Sequence, residues 1–252
     1  MRSSFTVTQM ASIASVSFTE QACSSEASFW AKEFNVPVDD TRFPRLEVSP
    51  SGLALCMKDC LPMHVDFRVM MHEQSPVGPT EKALLRACGR EPGMHVIDAT
   101  AGWGNDAAVL ASSGINVQMI EHDPVLAVLL EDGLQRLNQQ EPTAPVHLSL
   151  HTIDAWAYLD ALSPPDYPDV IYMNPIHPAR FKMTHNQKSL SPLQAFLSTI
   201  EDPLGLLKVA CARVQKRVVV KWPTHFQPLN KPSYVLKGKS PVRFDVYFPS
   251  SL

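Results

Sequence analysis

No C-x-x-C pair and no run of eighteen apolar residues occurs in this chain of 252 residues. Its cysteines are an odd set of five: Cys23, Cys56, Cys60, Cys88 and Cys211. That pattern argues against a disulfide framework and fits reduced thiols in a cytoplasmic protein. Cys56, Cys60 and His64 match no zinc spacing, so no metal is expected. Without a long apolar run there is no transmembrane helix to expect. Residues 1–20 are rich in Ser and Thr and lack the continuous apolar stretch of a secretory signal.

Acidic and basic residues nearly balance, at a net charge of −3, but they segregate. Residues 91–170 carry twelve acids and a single base, Arg136. Residues 205–252 carry nine bases and a single acid, Asp245. A polyanion can contact the basic end without being repelled by the whole molecule, although a solvated surface with segregated charges has the same composition. The acidic half argues against nonspecific nucleic-acid binding over the whole protein.

With 45% apolar residues the chain can bury a full core. Its length fits one large α/β domain with an appendage, or two small domains. Residues 1–70 read as a small N-terminal appendage. They hold an Ala/Ser-rich helix near 25–34, prolines at 37, 44 and 50, and strand-like pieces at 53–57 and 64–67. Ser49-Pro50-Ser51-Gly52 is a turn signal. Residues 71–252 read as the second and larger domain, whose pattern becomes regular from Pro79. A helix opens on Pro79, carries Ala83, Leu84, Ala87 and Cys88 on one face, and stops at Gly89. Strands follow at 95–98, 116–121, 146–151, 169–173 and 217–221, with helices at 106–113 and from Pro124 through Leu137. Near-continuous apolar runs such as Val218-Val219-Val220 suit strands buried on both faces. The alternation predicts an α/β, Rossmann-like, mostly parallel doubly wound sheet. Strand candidates at 234–236 and 243–248 follow without a strong helix between them, so an antiparallel hairpin should end the sheet.

The most informative stretch is Val96-Ile97-Asp98-Ala99-Thr100-Ala101-Gly102-Trp103-Gly104-Asn105-Asp106, a strand running into a D-x-x-x-G-x-G turn. Gly102 and Gly104 can adopt positive φ and bring backbone N–H groups close to a ligand. A pyrophosphate-binding fingerprint would have a third glycine where Ala107 stands. An Asp at the start of the loop instead suits a ligand with a cationic amino-acid end, of which S-adenosylmethionine (SAM) is the obvious one. A tight βα turn without ligand is the alternative. Glu121-His122 ends the next strand, 23 residues after Asp98, where an acid accepts from both ribose hydroxyls of a nucleoside. Asp154 after the third strand could accept from an adenine amino group while Ile153 covers a ring face.

The fourth strand ends in Asn174-Pro175-Ile176-His177-Pro178, a short turn stiffened by two prolines. Methylating an exocyclic amine requires acceptors for its hydrogens, so that the nitrogen lone pair faces the methyl group. The Asn174 carboxamide oxygen and the Pro175 carbonyl are two such acceptors, and His177 is the planar group that would stack on a base. Lys221, Lys239 and Arg243 are candidate phosphate contacts.

These elements together resemble the J-type small-subunit ribosomal RNA guanine-N2 methyltransferases (RsmJ), from about Val65 to Tyr247. The resemblance rests on Val65-Asp66-Phe67, the 98–106 loop, Glu121-His122-Asp123-Pro124 and Leu129-Leu130-Glu131-Asp132-Gly133-Leu134. It continues through Asn174-Pro175-Ile176-His177-Pro178, Val218-Val219-Val220-Lys221-Trp222-Pro223 and Arg243-Phe244-Asp245. It implies a SAM-dependent enzyme of the bacterial cytoplasm that modifies one guanine amine of ribosomal RNA or of the small ribosomal subunit. It also implies that Asn105, Asp106, Glu121, His122, Ile153, Asp154 and Asn174 line the cofactor pocket, beside Asp98, Thr100, Gly102 and Gly104. This chain departs from the family at Asn105 and His122, where arginine is usual, and at Asn174, where aspartate is usual. Residues 71–79 replace a basic, glycine-rich stretch. The sequence also fits methylation of another RNA base, a protein amide or a small amine, and a non-catalytic RNA-binding module. A nucleotide-dependent oxidoreductase is disfavoured by the missing third glycine.

Overall fold

The computed structural model describes residues 12–72, 78–139, 146–175, 202–237 and 241–249. His177 and Lys239 lie outside the described residues.

The N-terminal part forms strand β1 (Ser15–Phe18), helix α1 (Ser24–Glu33), and strands β2 (Arg45–Ser49) and β3 (Gly52–Cys56). They make a three-stranded sheet in the order β1-β2-β3, with β2 and β3 joined through the Ser49–Gly52 turn. The alternating residues His64 to Phe67 are not the strand their pattern suggests. Val65 and Phe67 are buried, and Phe67 opens helix α2 (Phe67–His72). Their apolar side chains find their place against helices, which overrides a short period-two pattern.

Helix α3 (Pro79–Cys88) begins on its proline and ends at Gly89, whose φ of 112° few other residues adopt. The remainder alternates β4 (His95–Asp98), α4 (Asn105–Ala111), β5 (Asn116–Glu121), α5 (Pro124–Asn138), β6 (Leu148–Thr152), α6 (Ala155–Asp160), β7 (Val170–Met173), α7 (Pro203–Ala212) and β8 (Arg217–Pro223). Strands β9 (Tyr234–Lys237) and β10 (Val242–Tyr247) complete a seven-stranded sheet ordered β6-β5-β4-β7-β8-β10-β9. The first five of these strands are mutually parallel, and β10 runs antiparallel to both β8 and β9.

Alternate residues of the central strands serve different layers. Val96, Val170, Tyr172 and Val219 join the core with α3, α4 and α5, which continues into the N-terminal sheet. Ile97, Ile171, Met173, Val218 and Val220 join the core with α6 and α7. Burial on both faces explains why these strands read as unbroken apolar runs. Strand β4 is flanked by β5 and by β7, so the chain reverses its winding there. The carboxyl ends of β4, β5, β6 and β7 therefore bound the crevice where open α/β sheets hold ligands.

Candidate active site

The loop after β4 is set by two glycines at positive φ, Gly102 at 54° and Gly104 at 79°. Gly104 is the N-cap of α4 in left-handed conformation. A Cβ there would lie 2.9 Å from Cε1 of Phe67 and 3.0 Å from Cδ2 of Leu130, so the helix start packs directly on α2 and α5. Gly133 on α5 allows a similar approach, since its Cβ would lie 2.9 Å from the Val65 carbonyl oxygen. The Val65-Asp66-Phe67 segment thus seats the glycine loop on α5. Arg136 on α5 donates to the Val65 carbonyl and pairs with Asp132 and Asp66.

Hydrogen bonds stitch the crevice residues into one unit. The Thr100 amide donates to Oδ1 of Asp98 (3.1 Å), and the Gly102 amide donates to Oε2 of Glu121 (2.9 Å). Oε1 of Glu121 accepts from the amides of His122 (2.9 Å) and Asp123 (2.8 Å). Asp123 in turn caps α5 by accepting from the Val125 and Leu126 amides. Across the crevice the Asn174 amide donates to Oγ1 of Thr100 (2.6 Å), which ties the end of β7 to the glycine loop. Ile153 and Asp154 lie at the far side, where the Ile153 amide bonds the Glu121 carbonyl and the Asp154 side chain caps α6. Asn105 is exposed on the first turn of α4, and His122 is half-buried with Nδ1 3.4 Å from Oε1 of Glu121.

Asp106 is the hub of the other side. Its Oδ2 accepts from the Tyr172 hydroxyl (2.7 Å) and from Nδ2 of Asn174 (3.0 Å). The Lys221 ammonium reaches Oδ1 at 3.0 Å and Oδ2 at 2.9 Å. Tyr172 was missed by sequence reasoning. Its signal was a lone tyrosine in the buried run Val170-Ile171-Tyr172-Met173, because a buried phenol must find a hydrogen-bond partner.

Two of the expected phosphate contacts stand elsewhere. Lys221 is turned into the crevice against Asp106, with its side chain 18% exposed. Arg243 is buried and fully engaged. Its Nε and Nη2 donate to Asp245 at 2.7 and 3.1 Å, and its Nη1 donates to the carbonyls of Pro223 and Thr224. A guanidinium buried in the protein with four of its five N–H groups bonded is not placed to meet a phosphate.

The electrostatics of the crevice favour a cation. Burial pushes the Asp98 carboxyl up to about 7, and the neighbouring charges of Asp106 and Glu121 push the same way. Burial also raises Glu121, against the lowering effect of the amides it accepts from. An acid group so placed is short of positive charge, and a ligand bearing ammonium and sulfonium centres supplies it. Buried carboxylates beside glycine-loop amides at one sheet edge fit a cationic nucleoside such as SAM. Among the described residues no group of three or more His, Cys, Asp and Glu is placed to hold a metal, and no helix is long and apolar enough to cross a membrane.

Comparison with known proteins agrees with this chemistry. The family described as "Putative SAM-dependent methyltransferase" matches residues 29–249. Ribosomal RNA small subunit methyltransferase J of Legionella pneumophila (strain Corby) is 38% identical over 237 residues, covering 94% of this chain and 97% of that protein. Its namesake from Coxiella burnetii (strain Dugway 5J108-111) is 36% identical over 251 residues, covering 94% and 98%. The crystal structure of the SAM-dependent methyltransferase NGO1261 from Neisseria gonorrhoeae superposes with a TM-score of 0.72 at 26% identity, covering 94% of this chain and 97% of that one. With its glycine loop, buried acids and Asn-Pro turn at one sheet edge, this chain belongs to the J family of small-subunit ribosomal RNA methyltransferases and is a SAM-dependent methyltransferase.

Proposed function

We propose that this protein methylates the exocyclic N2 amine of a guanine in small-subunit ribosomal RNA, in the bacterial cytoplasm. The names of the relatives point to the RNA. The observation that carries the amine is the Asn174 side chain at the end of β7, whose Nδ2 is taken by Asp106 at 3.0 Å. An ionised carboxylate can only accept, so it selects the NH₂ side of the carboxamide and leaves the oxygen as an acceptor. Asn174 Oδ1 and the Pro175 carbonyl then accept the two N–H hydrogens of the guanine amine and orient its lone pair. Asn174 has no titratable proton at working pH, so it orients rather than acting as a base.

SAM, when bound, supplies the electrophilic methyl group. What the chain adds is chiefly position, since a bimolecular transfer gains most from holding nucleophile and methyl carbon roughly 3–3.5 Å apart and aligned. Asp98 and Glu121 would hold the cofactor from below the loop, Ile153 and Asp154 would border its adenine, and His177 would stack on the flipped guanine.

The test is tritium transfer from labelled SAM to small-subunit RNA and to assembled subunits from a strain lacking the gene, with Asn174→Ala as control. Label recovered as N2-methylguanosine, and lost in the control, is the expected result. Cofactor binding without labelled RNA would overturn it.

A further inference from the structure

Lys221 occupies an unusual place for a lysine. Strand β8 presents Val218 and Val220 to the core beneath α6 and α7, whereas Val219 and Lys221 face the opposite layer. Met173 pairs with Val220 in parallel register, which sets Lys221 level with Asn174 on the neighbouring strand. From there its ammonium contacts both oxygens of Asp106, at 3.0 and 2.9 Å. The same carboxylate accepts from Tyr172 and Asn174. Groups from α4, β7, the turn after β7 and β8 thus meet at one side chain.

We infer that the Lys221–Asp106 ion pair is the positioning device that fixes the orientation of Asn174 and so selects a substrate amine. This rests on the proposed amine reaction. Among the described residues the groups facing Asp106 are Lys221 on β8, Asp98 on β4, the Tyr172 phenol on β7 and the Cys88 thiol on α3, and Glu121 on β5 acts in turn on Asp98. Among the described residues Lys221 is the cation of that set. Without it, two acids face each other and a proton is taken up between them more readily. A protonated Asp106 is a donor as well as an acceptor. It can bond the Asn174 oxygen, let the carboxamide turn over, and present NH₂ where the substrate amine needs an acceptor. Lys221 thus keeps the Asp106 end of the network accepting only. It acts through Asn174 and does not touch RNA.

The deciding measurement is the Asn174 side-chain NH₂ resonance pair of ¹⁵N-labelled, SAM-bound protein in wild type, Lys221→Met and Lys221→Arg, which requires no RNA. The Lys221→Met pair should move away from the carboxylate-bonded position and the Lys221→Arg pair should stay near it. An unmoved pair in folded Lys221→Met overturns the inference. Two further readouts separate it from a phosphate contact. Methyl transfer by Lys221→Met should lose about tenfold in kcat, worsening toward low pH, with the KM for RNA unchanged and partial rescue in Lys221→Arg. The salt dependence of RNA binding should keep its slope, whereas losing a phosphate contact would reduce that slope by about one. A lowered slope with kcat retained would return Lys221 to the RNA interface. If Lys221→Met fails to fold, Tyr172→Phe removes a donor from Asp106 without changing charge and should shift the same resonances. Absence of RNA labelling by wild type would count against the amine reaction itself, and the resonance experiment would still decide the pairing.

Discussion

The aromatic ring of Phe67 closes on Gly104 so tightly that a Cβ at Gly104 would lie 2.9 Å from its Cε1. One residue is the last of the Val65-Asp66-Phe67 segment and the other starts α4 at the cofactor loop. The N-terminal part of the chain is therefore mechanically joined to the site.

Gly104→Ala should damage both. The substitution puts a side chain on a left-handed residue and presses it into Phe67 and Leu130. A cost of about 2–4 kcal/mol is expected. Thermal melting should show a fall of several degrees, and calorimetry should show weakened SAM binding. A variant that melts and binds like wild type would refute this packing.

Glu121→Gln should weaken SAM by about tenfold, roughly 1.4 kcal/mol, and cost the fold about 1–3 kcal/mol. The carboxylate accepts from the amides of Gly102, His122 and Asp123, and a glutamine would turn an NH₂ toward one of those donors. Isothermal calorimetry on the two proteins measures the difference directly.

Asp98 gives the ligand-free protein a pH dependence. In the unfolded chain it ionises near 3.8, whereas in the folded crevice it holds its proton to about 7. The folded state thus binds the extra proton between those values, so this group's contribution to stability declines as pH rises from about 4 to about 7 and is level above. Urea melts of wild type and Asp98→Asn at pH 5 and pH 7.5 should show wild type losing more stability than the variant over that interval. Saturating SAM, by adding positive charge, should shrink the difference. Equal pH slopes in the two ligand-free proteins would contradict the burial argument.

Arg243→Met should unfold the protein more easily rather than release RNA. It strands Asp245, which is 1% exposed, without its partner. Breaking one side of such a buried pair costs on the order of 3–5 kcal/mol. Denaturant melts should show this loss, and Arg243→Met combined with Asp245→Leu should recover part of it. A folded single variant of normal stability whose RNA affinity has become less salt-dependent would restore Arg243 as a phosphate contact.

By itself the sequence determined the parallel sheet, its antiparallel end and the line of loops along its carboxyl edge. Strands covered on both faces must be apolar throughout, and a chain turning from such a strand into a helix at close quarters must use glycine, so Val96 to Gly104 announced both sheet and site. Asp98, Glu121 and Asn174 were legible because strand ends in this topology share one edge whatever the surrounding packing. Only the tertiary structure decided which charged groups on the last strands face inward. Lys221 meets an aspartate 115 positions earlier in the chain, and such a contact leaves no local periodicity to read. Arg243 and Asp245 did carry a local sign, two charges at strand spacing on one face. Whether that face met water or the segment after β8, whose Pro223 and Thr224 carbonyls take the guanidinium, depended on where β10 was inserted, between β8 and β9. A composition rich in lysine and arginine records charge, but its exposure is fixed by the strand order.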